Sequence, residues 1–241
     1  MSNPRISLSE QNLTWRIPFE IALCTLMLNV VLTLSLNVLL TGLSSQLSIQ
    51  TIGSPIGTAI LGFSEALLLT PLLLYSKKYA ITRPQLGMYA RSRTNVLADV
   101  AVGVVVGLAM VPVSVVASAL NQSILGPQPE AEYVRTAFAV NSPFETILLL
   151  SSIILVVAPV EEVIFRGFIQ QGFEKSSGKL KGLLLASMLF AITHMDPWSI
   201  FPLFLLGALL GLSFQLRHRR VLAPITSHSL YMICLIVLSS A

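Results

Sequence analysis

Ionisable side chains stand inside long apolar stretches of this sequence, among them Glu161, Glu162 and Arg166 within Ala158–Gly167, then His194, then His228. A charge in the hydrocarbon of a bilayer costs at least about 2.5–3.5 kcal/mol by insertion scales, so residues kept there mark where function resides. Glu162 and Arg166 are four apart with the acid first, the favoured order for an ion pair along one helix face. Glu161 points about 100° away from its neighbour and is left to face a cavity. There the nearby Arg166 charge helps to keep it ionised. Pro159 offers no N–H to the carbonyl of Leu155 and can open the helix just before the acids, admitting water or substrate. A carboxylate with two imidazoles can take a proton from water held in a polar pocket. The same trio, Glu161, His194 and His228, is also a three-ligand set for a catalytic divalent metal such as zinc, with a fourth position open. The residues alone do not choose between these mechanisms. The chain contains no His-Glu-x-x-His helix and no Gly-x-Ser-x-Gly elbow, which excludes two common hydrolytic designs.

The elements that must carry these residues follow from composition. Of 241 residues, 54% are hydrophobic and only 11% charged, and the mean hydropathy is +0.79. A soluble domain keeps roughly a quarter of its residues charged, so the expected fold is all-α, a polytopic transmembrane helix bundle. Apolar runs at 18–43, 56–76, 95–120, 144–172, 182–196, 199–216 and 221–240 predict seven spans, or eight if Pro159 breaks the fourth. Counted at 1.5 Å per residue from ends near 173, 181 and 220, Glu161 lies roughly 18 Å deep, His194 roughly 20 Å and His228 roughly 12 Å. Three groups on three helices in one layer can converge on one point.

Lys and Arg collect on the cytoplasmic side of membrane proteins. Arg5 and Arg16 precede the first run; Lys77, Lys78, Arg83, Arg91 and Arg93 follow the second; Lys175, Lys179 and Lys181 follow the fourth; Arg217, Arg219 and Arg220 follow the sixth. Thirteen of the fifteen basic residues thus share one side, which predicts a cytoplasmic amino terminus and an external carboxyl terminus. The net charge of +4 is topological, and nucleic acid is not an expected partner. Cys24 and Cys234 lie in apolar runs near opposite ends, which excludes a disulfide framework and a Cys-based zinc site. The first run exceeds a signal peptide's apolar core and is expected to remain as an anchor. Residues 121–143 form the longest polar external stretch. With no repeat or linker, residues 1–241 are expected to form a single integral membrane domain in the plasma (inner) membrane, with lipid and a peptide or membrane-protein substrate as partners.

Ordered motifs within residues 144–235 resemble those of the CPBP intramembrane proteases, a family that includes CAAX prenyl endopeptidases of the Ras-converting type and homologues linked to bacteriocin processing and immunity. Glu-Glu-x-x-x-Arg is Glu161, Glu162 and Arg166; Phe-x-x-x-His is Phe190 to His194; Phe-x-x-Gly is Phe204 to Gly207; His-x-x-x-Asn begins at His228 but reaches Met232. The resemblance implies an intramembrane endopeptidase cutting near the cytoplasmic leaflet. Glu161 would activate water, His194 and His228 would hold that water or share a metal, and Glu162 and Arg166 would orient the base. It also implies a hydrogen-bond donor at position 232 that Met232 cannot supply, leaving Tyr231, Ser227 or a backbone N–H to replace it, or a slow or silent member.

Plainer readings stand beside these. Glu162 and Arg166 form a structural ion pair, the histidines are polar helix contacts, Phe190, Gly207 and Gly211 are packing, and His218 belongs to the basic cluster. Asp99 and Glu145 lie near helix starts, where carboxylates are ordinary. Glu65, roughly 16 Å deep, can line the same cavity. A catalytically silent immunity or scaffold protein of the same fold is the alternative function, and a proton-coupled transporter is disfavoured by the lack of repeated halves. The topology is open to direct test. A fluorescent reporter that folds only in the cytoplasm is expected to shine when fused after Lys78 and stay dark after Gln128; the opposite pattern contradicts the orientation.

Overall fold

A computed structural model describes residues 16–47, 53–89, 92–129 and 131–240. Arg5, Arg91 and Glu130 lie outside the described residues. The described chain is all helix and turn: α1 (Arg16–Leu47), α2 (Pro55–Ser64), a 3-10 turn (Glu65–Leu68), α3 (Leu69–Tyr79), α4 (Arg93–Leu125), α5 (Ala131–Phe138), α6 (Pro143–Ser152), α7 (Ala158–Glu162), α8 (Gln171–Ser177), α9 (Lys179–Ile192), α10 (Pro197–Leu216) and α11 (Leu222–Ser239). Six stretches are long and apolar enough to cross a membrane: Phe19–Gly42, Pro55–Tyr79, Arg93–Leu125, Pro143–Ser177, Pro197–Leu216 and Leu222–Ser239. The fifth expected span is the exception. α9 has 14 residues, about 21 Å of helix, and ends before His194.

The ends of these helices have local causes. Ser54, Ser92 and Ser142 accept hydrogen bonds from the backbone N–H groups of Gly57, Asn95 and Glu145. Pro55, Pro143 and Pro197 occupy the first turn of their helices, where a missing N–H is harmless. Glu145 reaches back past the cap, its Oε2 accepting from the N–H of Asn141 at 2.7 Å. α9 stops because Met195 turns left-handed at φ 53° and the Asp196 carboxylate then caps α10, accepting from Trp198 N–H at 3.0 Å. The helix expected through residue 196 therefore ends at Ile192, about one turn early, and Thr193 and His194 form the connecting turn.

The stretch Pro143–Ser177 is continuous, so Pro159 does not divide it into two spans. Two π-helical segments, Ile153–Val157 and Val163–Gln170, flank α7. The first widens the helix where Pro159 cannot donate, and absorbs the missing bond without a break.

Around this stretch α4, α10 and α11 pack closely, with α9 against α10. Gly103 and Gly107 allow the approach of α4 to α11: a Cβ at Gly103 would lie 2.8 Å from the carbonyl oxygen of Ala223, and one at Gly107 would lie 2.7 Å from that of Ser227. Met27, Val31, Leu34 and Val38 on α1 are exposed, an apolar surface suited to lipid. At the basic end, Asp99 is not an ordinary helix-start carboxylate. It is buried and accepts from Arg217 Nε at 2.7 Å and from Arg220 Nε at 2.6 Å, tying α4 to the turn between α10 and α11. Hydrogen bonding to Asp99 raises the Arg220 guanidinium above its ordinary pKa.

Gly107→Ala is expected to lower stability by about 1–3 kcal/mol, read as a lower melting temperature in detergent. Gly42→Ala, where a Cβ meets nothing within 4 Å, serves as the neutral comparison. Equal melting of the two variants contradicts the close approach of α4 to α11.

Candidate active site

Glu162, Arg166, Gln170 and Glu174 recur every four residues, and all four are buried. In an α-helix such a repeat drifts by about 40° per step. The wider turns of Val163–Gln170 counter that drift and keep the stripe against α10. Arg166 donates through Nη2 to the carbonyl of Gly207 at 3.2 Å, Gln170 donates to the carbonyl of Gly211 at 3.2 Å, and Gln215 donates to Glu174 at 2.8 Å. Gly211 permits this closeness, because a Cβ there would meet Gln170 Oε1 at 2.7 Å. Glu174 also accepts from Arg219 at 2.7 Å, closing the ladder at the basic end.

At the other end of the ladder Arg166 is completely enclosed. Its Nη1 donates to Glu162 Oε1 at 3.0 Å, and its guanidinium lies 4.4 Å from the centre of the Phe190 ring. Phe190 in turn packs edge-on against His194 at 4.9 Å and against His228 at 6.2 Å. Phe190 and Gly207, read from the sequence as packing, are thus also partners of the buried cation.

The same Glu162 oxygen lies 3.0 Å from His228 Nδ1, while Glu161 Oε2 lies 3.7 Å from that nitrogen. A carboxylate only accepts, so Nδ1 of His228 carries a proton and donates it to Glu162. His194 Nδ1 lies 2.8 Å from the carbonyl of Phe190 and must likewise donate. In both neutral rings the lone pair is then on Nε2, the form suited to accepting a hydrogen bond from water. Glu162 and Arg166, expected to orient the base Glu161, also contact His228 and, through Phe190, the turn that bears His194.

Glu161, His194 and His228 line one cavity of about 760 Å³, together with Glu65, Tyr231 and Met232. His194 stands at the end of α9, exposed, and makes no carboxylate contact among the described residues. Among those residues no group of three His, Cys, Asp or Glu side chains is arranged to hold a metal ion. The set Glu161, His194 and His228 expected for zinc is not gathered into such a group. The cavity runs away from the basic loops, past Ser114 and Ser118 on α4 to Gln122 and Gln128. It therefore extends toward the end opposite the cytoplasmic leaflet expected from the sequence.

The sequence reading missed Gln170 and Glu174, although their four-residue repeat with Arg166 is visible in it. It treated Ser227 as a candidate donor, but that hydroxyl is buried and donates to the carbonyl of Ala223 at 3.0 Å. Tyr231 remains on the cavity wall, adjacent to Met232.

Residues 143–234 match the Rce1-like family, Type II CAAX prenyl endopeptidases. The matched segment holds every residue of the ladder and all four motifs, in agreement with the CPBP resemblance. It points to intramembrane proteolysis of the CAAX-protease type, and six apolar helices make the chain an integral membrane protein. No curated protein and no solved structure matches the chain.

Arg166→Met in this Rce1-like segment strands Glu162 as a buried charge, with an expected cost of about 3–5 kcal/mol in detergent melts. Glu162→Leu combined with Arg166→Met is expected to recover most of that loss. A single Arg166→Met variant as stable as the wild type contradicts the enclosed pair.

Proposed function

We propose that the protein is an intramembrane endopeptidase in which Glu161 takes a proton from water as the water oxygen attacks a peptide carbonyl. The observation that carries this reading is the Glu161 carboxylate itself: Oε2 is buried, has no hydrogen-bond partner, faces the cavity and stands beside the imidazole of His228. An unpartnered carboxylate next to a fixed imidazole is suited to bind and polarise water. His194 Nε2 accepts from the same water. His228 is held beside Glu161 by its Nδ1–H bond to Glu162. Glu162 balances Arg166, and Glu161 becomes neutral as it takes the proton. Tyr231, which lines the cavity beside Met232, supplies the donor that Met232 lacks in this reading.

The apolar bulk of the cavity suits a membrane-embedded or lipid-bearing peptide, entering from the side of Gln122 and Gln128. Met232 on the cavity wall favours one second reading, a silent immunity or scaffold protein of the same fold.

Purified protein in liposomes is expected to cleave peptides, and Glu161→Gln or His194→Ala to reduce the rate by about 10²-fold or more. Cleavage that survives both changes overturns the assignment. A cellular phenotype that persists in Glu161→Gln supports the silent reading instead.

A further inference from the structure

Glu65 is absorbed by neither the ladder nor the motifs. It opens the 3-10 turn Glu65–Leu68 within the second span, and its Oε2 is buried. Glu65 and Glu161 line the large cavity together, and both also line a second cavity of about 90 Å³ with Thr25, Asn29, Thr193 and His194. They lie close enough for the charge of Glu161 to act on Glu65. Three of the buried polar atoms without partners, Thr25 Oγ1, Glu65 Oε2 and Glu161 Oε2, belong to residues of that small cavity. A polar cavity of this size accommodates a few waters.

Charge balance distinguishes the acids. Glu161 and Glu162 stand beside the single cation Arg166 and the Nδ1–H of His228, whereas no cation among the described residues pairs with Glu65. A third carboxylate beside Glu161 would be uncompensated in low dielectric, and two neighbouring carboxyl groups in such a site share a proton.

We infer that Glu65 is a second catalytic carboxyl of the site: protonated in the resting protein, it gives its proton to the leaving amine of the scissile peptide. This rests on the proteolytic reading above. Glu161 accepts one proton from water as the C–O bond forms. Glu65 donates its proton to the amide nitrogen as the C–N bond breaks, and the products are an acid and an amine. The proton on Glu161 then returns to Glu65 through the water of the small cavity, which restores both groups.

The test uses the whole chain in liposomes with two probes: a fluorogenic membrane-embedded peptide, and the same sequence with a thioester at the scissile bond. A thiolate leaves without protonation; an amine does not. Glu65→Gln is expected to slow peptide cleavage by about 10²-fold or more and to leave thioester cleavage within about threefold of wild type. Glu161→Gln is expected to slow both. Peptide cleavage by Glu65→Gln within threefold of wild type overturns the role of Glu65 alone, as does an equal loss on both probes. Gln has the shape and charge of a protonated Glu, so loss of folded protein in Glu65→Gln also contradicts the assignment. A wild type that cleaves neither probe overturns the proteolytic reading and this one together.

Discussion

A guanidinium buried in the middle of a membrane-spanning helix is the constraint on which the rest of the structure depends. Arg166 cannot shed its charge, and its donors have no water to reach. Glu162 supplies the countercharge, the carbonyl of Gly207 takes a second N–H, and the face of Phe190 covers the plane. Each partner comes with a position. Gly207 fixes α10, Phe190 fixes α9 and the turn beyond it, and Glu162 has an oxygen that also holds His228 on α11. One cation thus sets the placement of three helices and both imidazoles. Glu161, one residue before Glu162 and on another face, is the acid left without such a bond.

The polar network is unevenly distributed along the bundle. At the basic end, Asp99 binds Arg217 and Arg220, and Glu174 binds Arg219, Gln170 and Gln215. At the opposite end, neutral side chains predominate: Asn121 donates to the carbonyl of Trp198, Trp198 donates to that of Gly126, and Gln128 reaches Asp196. The cavity extends toward this second end. Charged clamps thus gather where the chain turns, and neutral ties surround the cavity.

Much of this was legible in the sequence because bilayer physics is restrictive. Apolar runs marked the helices, and the few intramembrane charges marked the site. Boundaries were less so: Ser-Pro at 54–55 and 142–143 and Asp-Pro at 196–197 signal helix starts, and the last of these ends the turn that carries His194. Depth counting placed Glu161 and His228 together but could not assign oxygens. Which imidazole Glu162 would hold depends on the side-chain directions of two helices, and spacing along one of them carries no such information. Asp99 read as an ordinary helix-start acid because its partners are 118 and 121 residues away. The Gly103 and Gly107 pair was present in the sequence but indistinguishable from other small residues until α11 was placed against it. The π segments had a local sign in Pro159, yet the sequence permitted a break equally well.

The bond from His228 to Glu162 joins the buried cation to the cavity, so its protonation state tests the account most directly. The chain has only three histidines, which makes nitrogen-15 spectra of histidine-labelled protein in liposomes assignable by single replacements. The account predicts a protonated, hydrogen-bonded Nδ1 at His228 whose signal shifts in Glu162→Gln. A bare Nδ1 at His228, or a signal indifferent to Glu162, would contradict it.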